Sequence, residues 1–283
     1  RNKIFPSLMG KHAQIVIGPA GSGKSTYCAS IQSHCQQLKR NVHVVNLDPA
    51  AETFQYDVSI NVQDLISVTD VMEELDYGPN GGLVYCMEYL VENIDWLDDQ
   101  IDDFGDDYLI FDCPGQIELY MHLPVMKIIV EHLSQLGYSL CVVYLIDSLI
   151  ISDASRFIAG SLMCLSGMVQ LELPHVNLLT KCDMVKDKQL LESFLNPDVQ
   201  QLVDDLDRGN NPKFSNLNLA LAKLVDDYSM VAFLPFDIED EETIDITLMQ
   251  IDNALQYGED LEVKDNDPEQ VDDFAEMAEA YNM

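Results

Sequence analysis

Short apolar runs alternate with longer amphipathic stretches along the 283-residue chain. The runs Gln14–Ile17, Val42–Leu47, Tyr108–Phe111, Leu140–Ile146, Val176–Leu179 and Met230–Leu234 are rich in Val, Ile and Leu, and several show no in–out alternation. A strand wetted on one face alternates, whereas one covered on both faces need not. The pattern predicts βα units and a mainly parallel central sheet between layers of helices. After the first run, Cys28, Ile31, Cys35 and Leu38 recur at helical spacing, so a helix follows directly. Gly160 to Val169 reads as a strongly apolar helix, belonging to the core or to a subunit interface. Between Asp183 and Met230 the chain is too long for a simple crossover and predicts a helical insert (184–228), broken at Gly209-Asn210-Asn211-Pro212. From Glu259 onward apolar positions thin out and acidic ones dominate, as in a disordered tail. Such a tail solubilises the chain, or docks through Phe274 to Tyr281 on a basic partner. The expected organisation is an N-terminal extension (1–11), a folded domain (12–258) and the tail (259–283).

Charge narrows the partners. Lys and Arg number 15 against 49 Asp and Glu, a formal charge of −34. Phosphate-backbone binding requires Lys and Arg to displace counterions, so direct contact with nucleic acid is not expected. Anionic membranes are disfavoured for the same reason. Proteins with basic patches fit better. The seven cysteines form no CxxC pair and sit in apolar runs, which suits free thiols in a reducing, cytoplasmic setting. The histidines show no HExxH or zinc-site spacing. No run of about 18 apolar residues suggests a membrane span, and the N-terminus lacks a signal-peptide pattern. Met9 reads as a natural start, and Met9-Gly10 lacks the Ser or Thr of a myristoylation signal because Gln14 holds that place.

The chemistry begins at Gly18-Pro19-Ala20-Gly21-Ser22-Gly23-Lys24-Ser25-Thr26, which matches G-x4-G-K-[ST] between a predicted strand and a predicted helix. Glycines let backbone N–H groups converge on phosphate oxygens, and the following helix offers its positive end. Lys24 is expected to reach the β- and γ-phosphates, and the Ser25 hydroxyl to ligate Mg²⁺. A triphosphate site also needs an acid on a neighbouring strand end. Asp112 fits, in Asp112-Cys113-Pro114-Gly115-Gln116, where the Gly115 amide can meet the γ-phosphate and Gln116 can orient water. Asp147 is the rival, although a strand-end Asp is more often a turn or cap. Asp48, in Asn46-Leu47-Asp48-Pro49, either faces the γ-phosphate, its water and the metal, or closes an Asp-Pro turn.

Thr180-Lys181-Cys182-Asp183 follows the fifth run, where GTPases of this kind carry [NT]-K-x-D. Asp183 can accept two hydrogen bonds from guanine N1 and N2, which adenine cannot offer, and the Lys181 stem can cover the base. Thr180 replaces the commoner Asn. GTP and GDP are therefore the expected substrate and product.

In their order, GPAGSGKST, NLDPA, GPN, DCPGQ and TKCD resemble the GPN-loop GTPases, a dimeric branch of the signal-recognition/MinD class. The resemblance runs from about His12 to Gln256. Taken by itself, Gly78-Pro79-Asn80 predicts a turn. The resemblance implies more: a loop entering the partner subunit with Asn80 near its γ-phosphate, and roles for Asp48, Gln116 and Glu118 around the attacking water. The four arginines (Arg1, Arg40, Arg156, Arg208) lie outside every recognised loop, so a partner's contribution is expected and unassisted hydrolysis should be slow. Pro235 cannot donate a backbone N–H, which leaves Leu234 as the candidate base contact after the last strand. Tyr77-Gly-Pro-Asn-Gly-Gly, Asp226-Asp-Tyr-Ser-Met and Phe233-Leu-Pro-Phe are most similar to the third eukaryotic branch. That branch implies a heterodimer with another paralogue (a homodimer being the alternative), RNA polymerase II subunits as clients, and shuttling to the nucleus. A P-loop kinase is the competing enzyme class, but Glu192 to Arg208 lacks the basic lid a kinase needs. A non-hydrolysing scaffold is the third reading, and the Asp48, Asp112 and Gln116 set argues against it.

Overall fold

The apolar runs form seven strands: β1 (Lys11–Ile17), β2 (Val42–Asn46), β3 (Val58–Asn61), β4 (Tyr108–Asp112), β5 (Tyr138–Asp147), β6 (His175–Thr180) and β7 (Phe233–Pro235). They are taken from a computed structural model that describes residues 10–185, 188–195, 197–209, 212–227 and 231–258. Every pairing is parallel, in the order β3-β2-β4-β1-β5-β6-β7. The helices are α1 (Lys24–Gln37), α2 (Val68–Leu75), α3 (Pro79–Glu92), α4 (Ile94–Ile101), α5 (Glu118–Met121), α6 (Val125–Gln135), α7 (Ala154–Leu171), α8 (Lys188–Leu195), α9 (Val199–Gly209), α10 (Ser215–Asp227) and α11 (Glu241–Leu255).

Three layers follow from the period-2 geometry of β1. Ala13, Ile15 and Ile17 enter the apolar cluster that also holds Leu90 of α3, Ile129 of α6 and Phe157 of α7. Val16 points the other way, with Cys28 and Ile31 of α1 and Leu248 and Ile251 of α11. Both sheet faces are thus covered, as the non-alternating runs predict. The fold class expected from the sequence is the one observed. Buried Gln14 interrupts β1 without an unmet polar atom: its amide donates to Tyr108 Oη at 2.8 Å and its carbonyl accepts from Tyr27 Oη at 2.7 Å.

Two expectations need correction. β3 was not expected: it is a four-residue edge strand with only Ile60 buried, too short and too wet to register as an apolar run. α7, with 18 residues and mean hydropathy 1.2, is long and apolar enough to cross a membrane by length and composition. Its buried stripe (Phe157, Ile158, Cys164, Leu171) packs in the core, while Val169 is exposed. Gly160 lets it approach the sheet, since a Cβ there would meet Ile146 Cδ1 at 2.8 Å. α8, α9 and α10 lie in the stretch expected to be a helical insert, and α9 and α10 pack on α7. β1 begins at Lys11, one residue before the expected domain start. The seven cysteines are all free thiols. Readings placed on residues 1–9, the 210–211 break and the 259–283 tail fall outside the described residues.

Candidate nucleotide site

In a parallel sheet, groups at the carboxyl ends of neighbouring strands share one rim. Here β4 lies between β1 and β2, with Val16 beside Asp112 and Asn46 beside Asp112 in register. Gly18, Asp48 and Asp112 are therefore brought together. Gly18 turns the chain at φ +148°, where a Cβ would sit 2.2 Å from the Leu145 carbonyl oxygen, so only glycine fits. The loop then wraps into α1, beginning at Lys24. Lys24, Ser25 and Thr26 line a cavity of about 430 Å³ with Ala20, Gly21, Gly23, Asp48, Asp112 and Gly115. Gly115 packs so closely that a Cβ would stand 2.9 Å from Ala20 Cα and 3.1 Å from Lys24 Nζ. The Asp112 loop and the glycine loop thus pack as one surface.

The charges of this cavity are few and poorly hydrated. Lys24 is 8% exposed and folds back, donating to the carbonyls of Gly18 (3.1 Å) and Pro19 (3.3 Å). Burial lowers its pKa, opposed by the charges of Asp112 and Asp48. Burial also raises both carboxyls; Ala50 N–H and Lys24 oppose the shift at Asp48, and the Ser25 and Tyr56 hydroxyls and Lys24 oppose it at Asp112. Asp112 Oδ2 accepts from Ser25 Oγ and from Tyr56 Oη, both at 2.8 Å. The donor set suits Mg²⁺: a serine hydroxyl and carboxylate oxygens are hard ligands on one wall. Among the described residues no group of three or more His, Cys, Asp or Glu could hold a metal by itself. Two lysines line the cavity, but Lys181 is paired with Asp147, so Lys24 against two carboxylates leaves a triphosphate short of positive charge, which a divalent cation would correct.

Beside the phosphate cavity lies a smaller one of about 80 Å³, lined by Gly23, Thr26, Tyr27, Thr180, Lys181, Asp183, Phe236 and Ile238. Asp183 is exposed at its rim, in a single 3₁₀ turn after β6. Lys181 takes the left-handed conformation (φ 58°) and its ammonium contacts Asp147 Oδ2 at 2.6 Å. Asp147 also caps the turn after β5 through Leu149 N–H (2.9 Å). Asp147 thus takes the capping role and holds Lys181, a residue of the cavity wall, without lining the phosphate cavity itself. Two base-side expectations shift. Thr180 is buried and its hydroxyl lies 2.7 Å from the Ser22 carbonyl and 3.1 Å from that of Ile146, so it ties β6 to the glycine loop and does not reach the pocket with a free hydroxyl. Leu234 lies within β7, paired with Leu178 and packed on the core, whereas Phe236 and Ile238 form the pocket wall.

Gly78-Pro79-Asn80 is a helix start and not the turn predicted: Gly78 is the N-cap of α3 and Pro79 its first residue. Proline's fixed φ and missing N–H suit that position equally well. Asn80 is exposed, and its Oδ1 accepts from Gln116 Nε2 of the same chain at 2.9 Å. Glu118 is exposed at the first position of α5. Tyr56 and Gln55, the latter 3.2 Å from Thr26 Oγ1, carry no sequence signal. Only the β2–β3 connection brings them to the cavity.

A parallel sheet whose first strand feeds a glycine loop and helix, with an acid on the adjacent strand end, defines a P-loop nucleoside triphosphatase. A family profile described as "Conserved hypothetical ATP binding protein" matches residues 16–257. The GPN-loop GTPase 3 of Dictyostelium discoideum is 56% identical over 260 residues, 91% of each chain. That of Danio rerio is 53% identical over 270 residues, 94% of each chain. A GTPase from Pyrococcus abyssi, solved in apo form, superposes with a TM-score of 0.73 over 87% of this chain and 98% of its own, at 23% identity, a likeness of fold. The chain belongs to the GPN-loop GTPase family. It binds GTP and hydrolyses it to GDP and phosphate. The profile's wording names ATP, whereas the relatives are named GTPases.

Proposed function

We propose that this GTPase is a two-subunit switch whose nucleotide state sets how the subunits meet. One observation carries the reading. Met72, Leu75 and Tyr77 are 38%, 47% and 46% exposed, and they lead directly into Asn80, whose amide touches Gln116 beside the phosphate cavity. A face suited to burial against a protein therefore adjoins the catalytic loop. Tyr77 lies on Tyr85 and Tyr85 on Tyr89, which extends the face along α3. The partner is another GPN-loop paralogue, with a second copy of this chain as the alternative. By resemblance, the clients are RNA polymerase II subunits, assembled in the cytoplasm and carried into the nucleus. The charge of −34 supports protein partners, with no nucleic acid or membrane contact.

Within the site, the amides of Gly18 to Thr26 and Gly115 bind phosphate oxygens, with Lys24 on the β- and γ-phosphates. Ser25, Asp112 and Asp48 hold Mg²⁺, which supplies charge neutralisation across those phosphates. Asp48, Gln116 and Glu118 orient the attacking water. Asp183 reads guanine, flanked by the Lys181 stem and the wall at Phe236. Of the described arginines, Arg40, Arg156 and Arg208 each pair with an aspartate, and none lines the cavity. Asn80 of one subunit then serves its partner's γ-phosphate, which requires its bond to Gln116 to open. Sedimentation velocity with GDP or a non-hydrolysable GTP analogue, with and without a paralogue, tests this. Association should follow the triphosphate, and Asn80→Ala should slow turnover on the order of a hundredfold. A monomer in every state, or wild-type turnover in Asn80→Ala, would sink the proposal.

A further inference from the structure

We propose that Tyr56 is a positioning residue for Asp112, fixing one of the two carboxylates proposed to hold the magnesium ion; this rests on the metal role given to Asp112 above. The Asp112 carboxylate is 3% exposed and needs donors to remain charged there. It has two, Ser25 Oγ and Tyr56 Oη, and both fall on Oδ2; among the described residues no other hydrogen bond reaches it. Ser25 cannot serve as a fixed support, because its oxygen is also the group offered to the metal. Tyr56 is left as the donor with no second task. Its own place is rigid for reasons outside the cavity. Gln32 of α1 clasps the next residue on both sides, donating to the Asp57 carbonyl (2.9 Å) and accepting from the Asp57 N–H (2.8 Å). On the preceding side Gln55 accepts from Thr26 Oγ1, and Phe54 lies 5.7 Å from the Tyr56 ring, centroid to centroid. The phenol is thus mounted on the helix that carries Lys24 and Ser25. It bridges that helix to the end of β4, so one side chain keeps Ser25 and Asp112, two of the metal's three proposed protein donors, in register.

The step is purely positional, and its signature is magnesium dependence. Tyr56→Phe keeps the ring and removes one hydrogen bond to a charged group. Fluorescent GDP and GTP analogues would be bound to the full chain in EDTA and then across a magnesium titration. The half-saturating magnesium concentration should rise roughly ten- to a hundredfold, the size of one such bond. Affinity in EDTA should stay at the wild-type value. An unchanged magnesium titration would overturn the proposal. So would equal weakening in EDTA, since the hydroxyl would then support the fold and not the metal. Asp112→Asn, run in parallel, separates the two claims. If it leaves the titration unmoved, the metal role of Asp112 fails and the Tyr56 inference falls with it. If it shifts the titration while Tyr56→Phe does not, only the Tyr56 inference fails.

Discussion

Gly115→Ala tests whether the Asp112 loop and the glycine loop form one phosphate-binding surface. Gly115 has no positive φ, so an alanine there meets no backbone strain and acts through space alone. Its Cβ would meet Ala20 Cα at 2.9 Å, Ala20 N at 3.1 Å and Lys24 Nζ at 3.1 Å. Two of these are main-chain atoms of the loop that wraps the phosphates, and the third is its lysine. Crowding of this kind costs about 1–3 kcal/mol when the surroundings must shift. The cheapest relief is to push the two loops apart, which withdraws the Gly115 amide from the position proposed for the γ-phosphate. Calorimetry should show GTP binding weakened by about tenfold or more, with GDP affected less. Gly137→Ala is the control: φ is +89° with nothing within 4 Å, between α6 and β5. It should cost about 1–2 kcal/mol of stability through left-handed strain and leave nucleotide affinity alone. Wild-type GTP affinity in Gly115→Ala, or equal losses for GTP and GDP, would refute the shared surface.

Thr180→Val should lower stability by about 1–3 kcal/mol, because it strips the Ser22 and Ile146 carbonyls of their donor, and should weaken GTP and ATP alike. A changed GTP-to-ATP ratio would return Thr180 to the base. Asp183→Asn should instead move the preference toward xanthine nucleotides, measured by competition; an unmoved preference would detach Asp183 from the base. Burial lowers the pKa of His175, outweighing the Leu173 carbonyl its ring contacts at 2.7 Å, and its buried Nε2 has no partner. The unfolded chain then takes up its proton at a higher pH than the native chain, so this contribution to stability is full above about pH 6.5 and falls below it. Urea midpoints across that range should fall less steeply in His175→Phe, and parallel curves would exclude His175 as the cause.

What the sequence reveals depends on whether a motif specifies backbone geometry or tertiary register. The glycine loop is legible because its residue types dictate conformation: a glycine where any Cβ collides, then a helix start. Asp112 is legible because Pro-Gly-Gln follows it. Gly78-Pro79-Asn80 is legible as a motif yet not as a conformation, since proline opens a helix as readily as a turn. Leu234 is the nearest guess to a wall that begins two residues later, because the end of β7 is set by pairing with β6. Asp147 reads as a cap, and its grip on Lys181 appears only once β5 and β6 lie side by side. Tyr56 carries no local signal at all, and the motif that marks Thr180 says nothing of its tie to the glycine loop. Their hydroxyls matter through partners distant in the chain, and only the folded sheet selects those partners.

The strand order also bears on how the protein is made. β1 leaves the ribosome before the other six described strands, yet Ala13 faces Leu109 on one side and Leu140 on the other. Until β4 and β5 exist, the strand that anchors the glycine loop has no neighbour, and its buried residues stay open to wrong contacts. The glycine loop is therefore made well before the strands that complete its site. A nascent chain has a long interval without the ligand that would stabilise it. Once the sheet closes, GTP binding joins the folding equilibrium and pulls it toward the native state.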